Sequence, residues 1–334
     1  MVKIIKWLSY GLLAVTCNIS AATVKEGLSL FNHKEFREAK TVFKSLAEQG
    51  NARAMFWLGV TQFRVGEQFK AGSTLQKAAE AGDPWAMHLM VPSYNGYCDY
   101  LGWSCDESWM EKAIVGWEKL AANGNGNAMY ALLRWQKKWW KYIPILNKNK
   151  NGELAELAVK SGGYKAASFN VDIPLDIEKR IELLKYAASK NYAPAMLYLY
   201  SASENYTGIE VDIDKVDLLR KVLFLGFGGE IIFYYERMVP EIKSASDLSQ
   251  LSVKEHKLLA DLYYYSLINQ AITGELDFKS FKWVYDGQRE GVRIELFSPE
   301  EKKKIEKKAK QFLVDFKPNL FLDEASSVHA LFGS

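Results

Sequence analysis

A ten-residue pattern recurs along the first two thirds of this chain and constrains its fold more than any other feature. The first clear copy runs from Leu46 to Met55, with a glycine at its fifth position and an Ala-Met pair at its end. The glycine position returns at Gly50, Gly82, Gly124, Gly162, Asn191 and Gly226. These markers are 32, 42, 38, 29 and 35 residues apart, a spacing typical of stacked helical hairpins. The pattern therefore predicts an all-α protein built as an α/α helical-hairpin solenoid.

The chemistry of one repeat explains the marker. Phe36, Ala39 and Phe43 recur at helical spacing and form one apolar stripe. A glycine then ends the helix, because glycine adopts the left-handed conformation after a helix C-cap at little cost, and asparagine is the next best residue there. The small residue at Ala54 and its equivalents lets the two helices of a hairpin approach closely. One hairpin cannot bury both of its faces, so neighbouring repeats are expected to stack.

The ten-residue pattern resembles that of the Sel1-like repeat family, whose α/α solenoids are related to tetratricopeptide repeats. The resemblance covers roughly residues 24–235. Residues 208–215 also resemble the family's Gly-x-Gly-Val-x-x-Asp loop, with Glu210 in place of the second glycine. Asn191 and the uneven spacing show that the repeats are degenerate. The resemblance implies an adaptor or inhibitor that binds proteins, and not an enzyme.

Residues 1–22 have the pattern of a secretory signal. Lys3 and Lys6 precede a short apolar run that is too short to span a bilayer, and small residues at 20–22 suit cleavage. One alternative is that this stretch is an uncleaved first helix. Another is lipidation at Cys17, although the preceding residues lack the leucine and the small residue that a lipobox requires. We therefore expect a periplasmic protein that has no membrane span once the signal is removed.

Two cysteines remain after the predicted cleavage, Cys98 and Cys105. An even number of cysteines in an exported chain predicts a disulfide bond. This bond would close a short loop within the longest step between markers, and we expect it to brace the inserted loop 94–108.

Residues 240–334 lack the marker and are expected to form a helical extension and cap. The predicted division is thus a signal peptide (1–22), a solenoid (23–239) and this extension. Ser298, Pro299 and Glu301 predict the start of a helix with a capping box. Its lysine-rich surface favours a solenoid cap, and the alternative is a site for anionic lipid or an acidic partner. The alternation at residues 292–296 indicates a short extended piece.

Patterns for catalysis, metals and cofactors are lacking in the sequence. The four histidines are scattered, with none at a metal-ligand spacing, and there is no nucleophile elbow or phosphate-binding loop. Asp212 and Asp214 occur without the rest of a calcium loop. We therefore expect no cofactor, no metal site and no enzymatic activity. The net charge of +3 gives no indication of nucleic-acid binding.

Aromatic residues concentrate in the third repeat and in the disulfide loop, where six of the ten tryptophans lie between positions 103 and 140. Tryptophan and tyrosine dominate protein-binding hot spots because each buries a large area and keeps a polar group. The predicted binding residues are Trp135, Trp139, Trp140, Tyr142, Trp103 and Tyr100. Helical spacing would place Trp135 and Trp139 on one face. The alternative is that these rings fill gaps between irregular repeats.

These observations together predict an exported solenoid that binds another protein. The family resemblance implies a periplasmic immunity protein that neutralises an antibacterial effector, for example a type VI phospholipase. An envelope adaptor or a host-interaction protein is the alternative within the binding class. A hydrolase of cell-wall or β-lactam substrates is the alternative from another class.

Overall fold

The computed structural model describes residues 23–169, 173–205, 214–229, 231–285 and 291–333. The predicted signal at 1–22, with Cys17, lies outside the described residues, and so do residues 208–213 of the predicted repeat loop. The described part of the chain is mainly helical, which confirms the predicted fold class.

Helix pairs joined by short turns make up the repeat region. Its helices are α1 (Val24–Asn32), α2 (Phe36–Glu48), α3 (Ala52–Arg64), α4 (Gln68–Glu80), α5 (Pro84–Leu89), α6 (Tyr97–Leu101), α7 (Trp109–Ala122), α8 (Gly126–Trp135), α9 (Pro144–Lys160), α10 (Ile177–Ser189), α11 (Ala193–Asn205) and α12 (Lys215–Phe224). Short 3-10 helices at Trp139–Tyr142 and Tyr164–Ala167 replace full helices where the repeats are least regular. Sequential helices contact one another along this region, as in a solenoid.

All six markers adopt the left-handed conformation that the repeat pattern predicts. Their φ angles are all positive and lie between 59° at Asn191 and 96° at Gly82. After the first three markers, Asn51, Asp83 and Asn125 accept hydrogen bonds from the first backbone N–H groups of the next helix. Each of these three markers therefore ends one helix, and the residue that follows caps the start of the next.

The small residue of the pattern lies where helices meet. Ala54, Ala86, Ala128, Ala166 and Ala195 are all fully buried. Backbones approach closely between the third and fourth repeats, where a Cβ added to Gly126 would lie 2.4 Å from the backbone nitrogen of Gly163. Larger side chains at these positions would push the repeats apart.

The C-terminal third continues the stack. It comprises α13 (Ile231–Glu236), α14 (Ala245–Gln250), α15 (Val253–Thr273), β1 (Phe281–Tyr285), β2 (Gly291–Glu295), α16 (Pro299–Phe312) and α17 (Val328–Phe332). Leu219 and Val222 of α12 share one apolar core with Leu262 and Ile268 of α15. The extension thus packs directly on the sixth repeat.

Two local predictions for the C-terminal third are confirmed. Strands β1 and β2 pair antiparallel, so the alternating stretch at 292–296 does lie largely in a strand. The backbone N–H of Ser298 donates to Glu301 Oε2 at 2.9 Å, and Pro299 is the first residue of α16. Helix α16 packs against α15, as a cap would.

After α16 the chain returns to the beginning of the stack. We call residues 317–333 the C-terminal segment. Asn319 N–H donates to the Gly226 carbonyl at 2.7 Å, and Leu320 N–H donates to the Asn32 carbonyl at 2.9 Å. Consecutive residues of this segment therefore bind the sixth and the first repeat. The stack must curve until both of its ends come within reach of one short stretch of chain, so the segment lies on the inner face.

The predicted disulfide is confirmed. Cys98 of α6 is bonded to Cys105 in the loop before α7. The buried Asn95 side chain supports the same loop, because it accepts from the Tyr97 N–H and donates to the Leu89 carbonyl at 2.7 Å. Within the described ranges, none of the helices has the length and apolar character that crossing a membrane requires.

Replacing a marker glycine by alanine should destabilise the fold through backbone strain alone. Gly124 has φ +83°, and nothing lies within 4 Å of an added Cβ, so Gly124→Ala should cost about 1 kcal/mol. The matched control is Gly152→Ala in the interior of α9, where an added Cβ also meets nothing within 4 Å. That change should stabilise the helix by up to about 1 kcal/mol. Urea unfolding of both variants measures the difference, and equal shifts would contradict the repeat register.

Candidate protein-binding surface

Most of the predicted aromatic residues lie at the connection between α8 and α9. Helix α8 ends at Trp135, Gln136 is extended, and a 3-10 turn follows over Trp139–Tyr142. Pro144 then begins α9, where its missing N–H costs no helical hydrogen bond. The prediction that Trp135 and Trp139 share one helix face is therefore wrong, because extended residues separate them.

One side of this 3-10 turn is open to solvent. A 3-10 helix has three residues per turn, so Trp139 and Tyr142 lie on the same side. Trp139 is 68% exposed and Tyr142 is 79% exposed. Ile143 and Ile145 follow and are also exposed. We call Trp139, Tyr142, Ile143 and Ile145 the aromatic edge. Neighbouring exposed apolar side chains of this kind mark interaction surfaces.

Trp140 faces the opposite way and is 9% exposed. It forms one wall of a cavity of about 450 Å³ between α8 and α9. We call this cavity the basic pocket. Its apolar lining consists mainly of Met129, Leu132, Leu133, Leu154 and Leu157. The pocket is wide enough for one or two apolar side chains of a partner.

Positive charges surround the basic pocket. Lys138, Lys141 and Lys150 line it, together with the single acid Glu153. Lys141 Nζ donates to the Leu133 carbonyl at 2.6 Å, close to the C-terminus of α8. Burial lowers the pKa of Lys141, and the charge of Lys138 lowers it further. An apolar lining with a cationic rim favours an apolar partner segment that also carries acidic groups.

Trp135 belongs to the interior. It is half-buried, and its ring centroid lies 5.0 Å from that of His88 and 5.4 Å from that of Tyr94. The Arg134 guanidinium lies 5.0 Å from the centre of its ring. These contacts fill the space beside α5, as the gap-filling alternative predicts.

Trp103 is also half-buried and packs against the core, whereas Tyr100 is exposed. The Trp103 ring makes edge contacts with Phe63 and Phe332, and a Cβ added to Gly72 would lie 2.4 Å from it. Tyr100 lies in α6 beside the disulfide and is 81% exposed. Three of the predicted residues are therefore exposed, one forms the wall of the pocket and two pack against the core: these are, in order, Trp139, Tyr142 and Tyr100, then Trp140, then Trp135 and Trp103. Their role in binding stays a prediction.

His88 is a buried titratable group that the sequence did not single out. Its ring stacks on Tyr94 at a centroid distance of 3.7 Å and lies 5.2 Å from Trp117. Nε2 has no hydrogen-bond partner within the part of the chain that the structure describes. Burial, helped by the charge of Arg134, lowers the pKa of His88 to about 3. The ring is therefore neutral at physiological pH and packs like an aromatic side chain.

Metal binding finds no support in the described ranges, where no group of three His, Cys, Asp or Glu side chains could hold an ion. Asp214 accepts a hydrogen bond from the Asp217 N–H at 3.0 Å and caps α12. Asp212 lies outside the described residues.

The contacts of the C-terminal segment were missed by the sequence analysis. Arg53 pairs with Glu324 at 3.1 Å, and Lys165 pairs with Asp323. These partners are far apart in the chain, and no local pattern connects them. The only sequence feature that could have indicated these contacts is the pair of adjacent acidic residues at 323–324, which precedes an apolar stretch.

The solved structures that this one resembles include the following two. A Sel1 repeat protein from Oxalobacter formigenes is 17% identical, with a TM-score of 0.34 over 86% of this chain and 99% of that one. The protective antigen c5321 of uropathogenic Escherichia coli, which displays an SLR fold, is 14% identical, with a TM-score of 0.33 over 87% of this chain and 69% of that one. No profile of a known protein family and no curated protein matches the sequence. The assignment of the fold therefore depends on the helical hairpins in the structure of this chain, and not on these comparisons.

The buried His88 should make the protein less stable in acid. Its pKa is about 3 when folded and about 6.5 in an unfolded chain. Below pH 6.5 the unfolded chain therefore binds a proton that the folded chain excludes, and the free energy of unfolding falls by up to about 1.4 kcal/mol per pH unit. Replacing His88 by phenylalanine keeps an aromatic ring and removes this titration. Urea unfolding at pH 6.5 and pH 5 should show that the wild type loses about 1.6 kcal/mol more than His88→Phe. Equal losses would show that folding does not lower the pKa of His88.

Proposed function

We propose that this chain is a protein-binding solenoid without catalytic activity of its own, and that the partner binds at the aromatic edge and the basic pocket. The observation that carries this proposal is the arrangement around the 3-10 turn. Trp139 and Tyr142 are exposed side by side, while Trp140 forms the wall of an adjoining apolar pocket. Rigid aromatic anchors beside a pocket are the usual composition of a binding hot spot.

The occupied inner face supports the same location. A solenoid commonly binds its partners along its concave surface. Here the C-terminal segment binds both the first and the sixth repeat and lies on that surface. A partner that meets the protein in this state encounters the outer connections first, and the 139–145 connection exposes the aromatic edge.

The partner that we propose is a secreted antibacterial effector, which would make the chain a periplasmic immunity protein. The signal-like residues 1–22 and the Cys98–Cys105 disulfide suit an oxidising compartment outside the cytoplasm. An inhibitor has to bind tightly and needs no chemistry of its own, which a rigid repeat scaffold with a hot spot provides. Lysines around the pocket favour an acidic surface on the effector.

Paired variants at adjacent tryptophans test the proposed surface. The partner is first captured with the full chain from envelope extract, identified by mass spectrometry and purified. Trp139→Ala should weaken its binding by about 2 kcal/mol or more, roughly thirtyfold in affinity, and leave the melting temperature nearly unchanged. Trp140→Ala should instead lower the stability by about 3 kcal/mol or more, because it removes a buried ring.

A control at another exposed ring makes the result decisive. Phe69→Ala removes another exposed ring, 75% exposed on α4, and should leave the affinity unchanged. Full affinity in Trp139→Ala and in Tyr142→Ala would contradict the proposed surface. The immunity role is tested separately by co-expression of the identified partner. The partner alone should be toxic in the periplasm, and this chain should abolish the toxicity. A harmless partner would favour an envelope adaptor.

A further inference from the structure

The C-terminal segment contacts the solenoid from its first helix to the turn before α13. Its partners there are Asn32, Arg53, Arg64, Lys165, Tyr192 and Gly226. Residues 317–327 form neither helix nor strand. Phe321 has a positive φ of 53°, and the Ser326 N–H donates to the Asp323 carbonyl at 3.0 Å in a turn. This part of the segment is therefore an irregular stretch that follows the inner face. The arrangement resembles a peptide in a groove more than another repeat in the stack.

The groove holds the main chain of the segment. Asn32 Oδ1 accepts from the Leu322 N–H at 2.7 Å, and Asn32 Nδ2 donates to the Leu322 carbonyl at 2.9 Å. The Asn32 carbonyl also accepts from the Leu320 N–H. These bonds hold the backbone of the segment independently of its side chains, as in main-chain recognition of a peptide ligand.

Charge complementarity fixes the middle of the segment. Asp323 pairs with Lys165 of the fourth repeat, and Glu324 pairs with Arg53 of α3. Arg53 is held from its other side by Asp83, the N-cap of α5, at 2.6 Å. Both basic groups therefore belong to the solenoid, and the pairing with Asp83 holds Arg53 in position whether or not the segment is bound.

An aromatic pocket holds the end of the segment. Phe332 is 4% exposed and stacks on Phe63 with a centroid distance of 4.1 Å. Tyr97 and Trp103 make edge contacts with the same ring. Arg64 Nε donates to the Leu331 carbonyl at 2.7 Å. This end has the features of an anchor residue in a preformed pocket.

Release of the segment would unwind no repeat helix, but it would uncover Val328, Leu331 and Phe332, which belong to the core of the first repeats. Helix α16 ends at Phe312, and Val314 in the following turn is 76% exposed. The segment meets the solenoid through turns, side chains and the short α17, so its departure would leave the hydrogen bonds within the repeat helices intact.

We propose that the inner face is a peptide-binding groove and that the C-terminal segment is its intramolecular ligand. The groove accepts in trans a segment of the same chemistry: an acidic pair followed by an apolar turn that ends in an aromatic residue. Such a partner segment displaces residues 317–333. The cis segment has an effective concentration in the millimolar range, which keeps the groove closed until it is displaced. This site is separate from the aromatic edge and goes beyond the function proposed above.

A labelled synthetic peptide of residues 316–334 tests the groove. Phe332→Ala in the full chain removes the cis anchor and leaves the groove residues in place. Fluorescence anisotropy should show that the peptide binds this variant roughly thirtyfold more tightly than it binds the wild type. A peptide with Asp323→Lys and Glu324→Lys should not bind. If neither peptide binds the folded variant, or both bind alike, the proposal is wrong.

Hydrogen exchange of the wild-type chain keeps the proposal testable if Phe332→Ala does not fold. The Leu320 and Leu322 amides are bonded to Asn32. If the segment is released as a unit, these amides should open at least tenfold more often than the amides of α3. If the Leu320 and Leu322 amides open only as often as the amides of α3, the segment leaves only when the solenoid unfolds. That result would overturn the proposal.

Discussion

The paired hydrogen bonds between Asn32 and the main chain of Leu322 fix the place where the two ends of the repeat stack meet. Asn32 is the last residue of α1, and the same short stretch of the C-terminal segment also binds Gly226. A stack of hairpins has no intrinsic length or closure, because each repeat contacts only its neighbours. The segment adds long-range contacts to this one-dimensional architecture. The inner face is thereby occupied, and outer connections such as the aromatic edge remain as contact surfaces.

A partly buried ionic network makes this closure specific. Arg53 pairs with Asp83, which caps α5, and with Glu324 of the segment. Burial raises the pKa of Glu324, although the charge of Arg53 acts in the opposite direction. Removing one member of a buried network leaves the others charged and unpaired, which costs more than the intact network contributes. The network therefore contributes more to fixing the register in which the segment binds than to the free energy of unfolding.

The repeat hairpins could be predicted from the sequence because their determinants are local. A left-handed residue after a helix and a small residue four positions later depend only on neighbouring turns, and the φ angles of Gly50 and Asn191 confirm this. The Cys98–Cys105 bond followed in the same way from two nearby cysteines. The start of α16 followed from a capping box that is complete within four residues.

The binding surface and the closure were harder to predict for physical reasons. Trp135 and Trp139 have helical spacing, yet α8 ends between them, so Trp139 is exposed and Trp140 is buried. Packing against α9 decides which of the adjacent rings Trp139 and Trp140 faces solvent. The spacing of residues along the sequence does not predict that packing. The pairing of Lys165 with Asp323 spans 158 positions and has no local signal.

Zero-length cross-linking of the wild-type chain tests the closed inner face most directly. A carbodiimide joins an amine to a carboxylate only when the two are in contact. In the monomer, mass spectrometry should find Lys317 joined to Glu35, whose charged atoms lie 2.7 Å apart, and Lys165 joined to Asp323. Lys179 and Glu156, 2.6 Å apart between α9 and α10, provide the internal control. Recovery of the control cross-link without either of the other two would show that the C-terminal segment does not lie along the inner face.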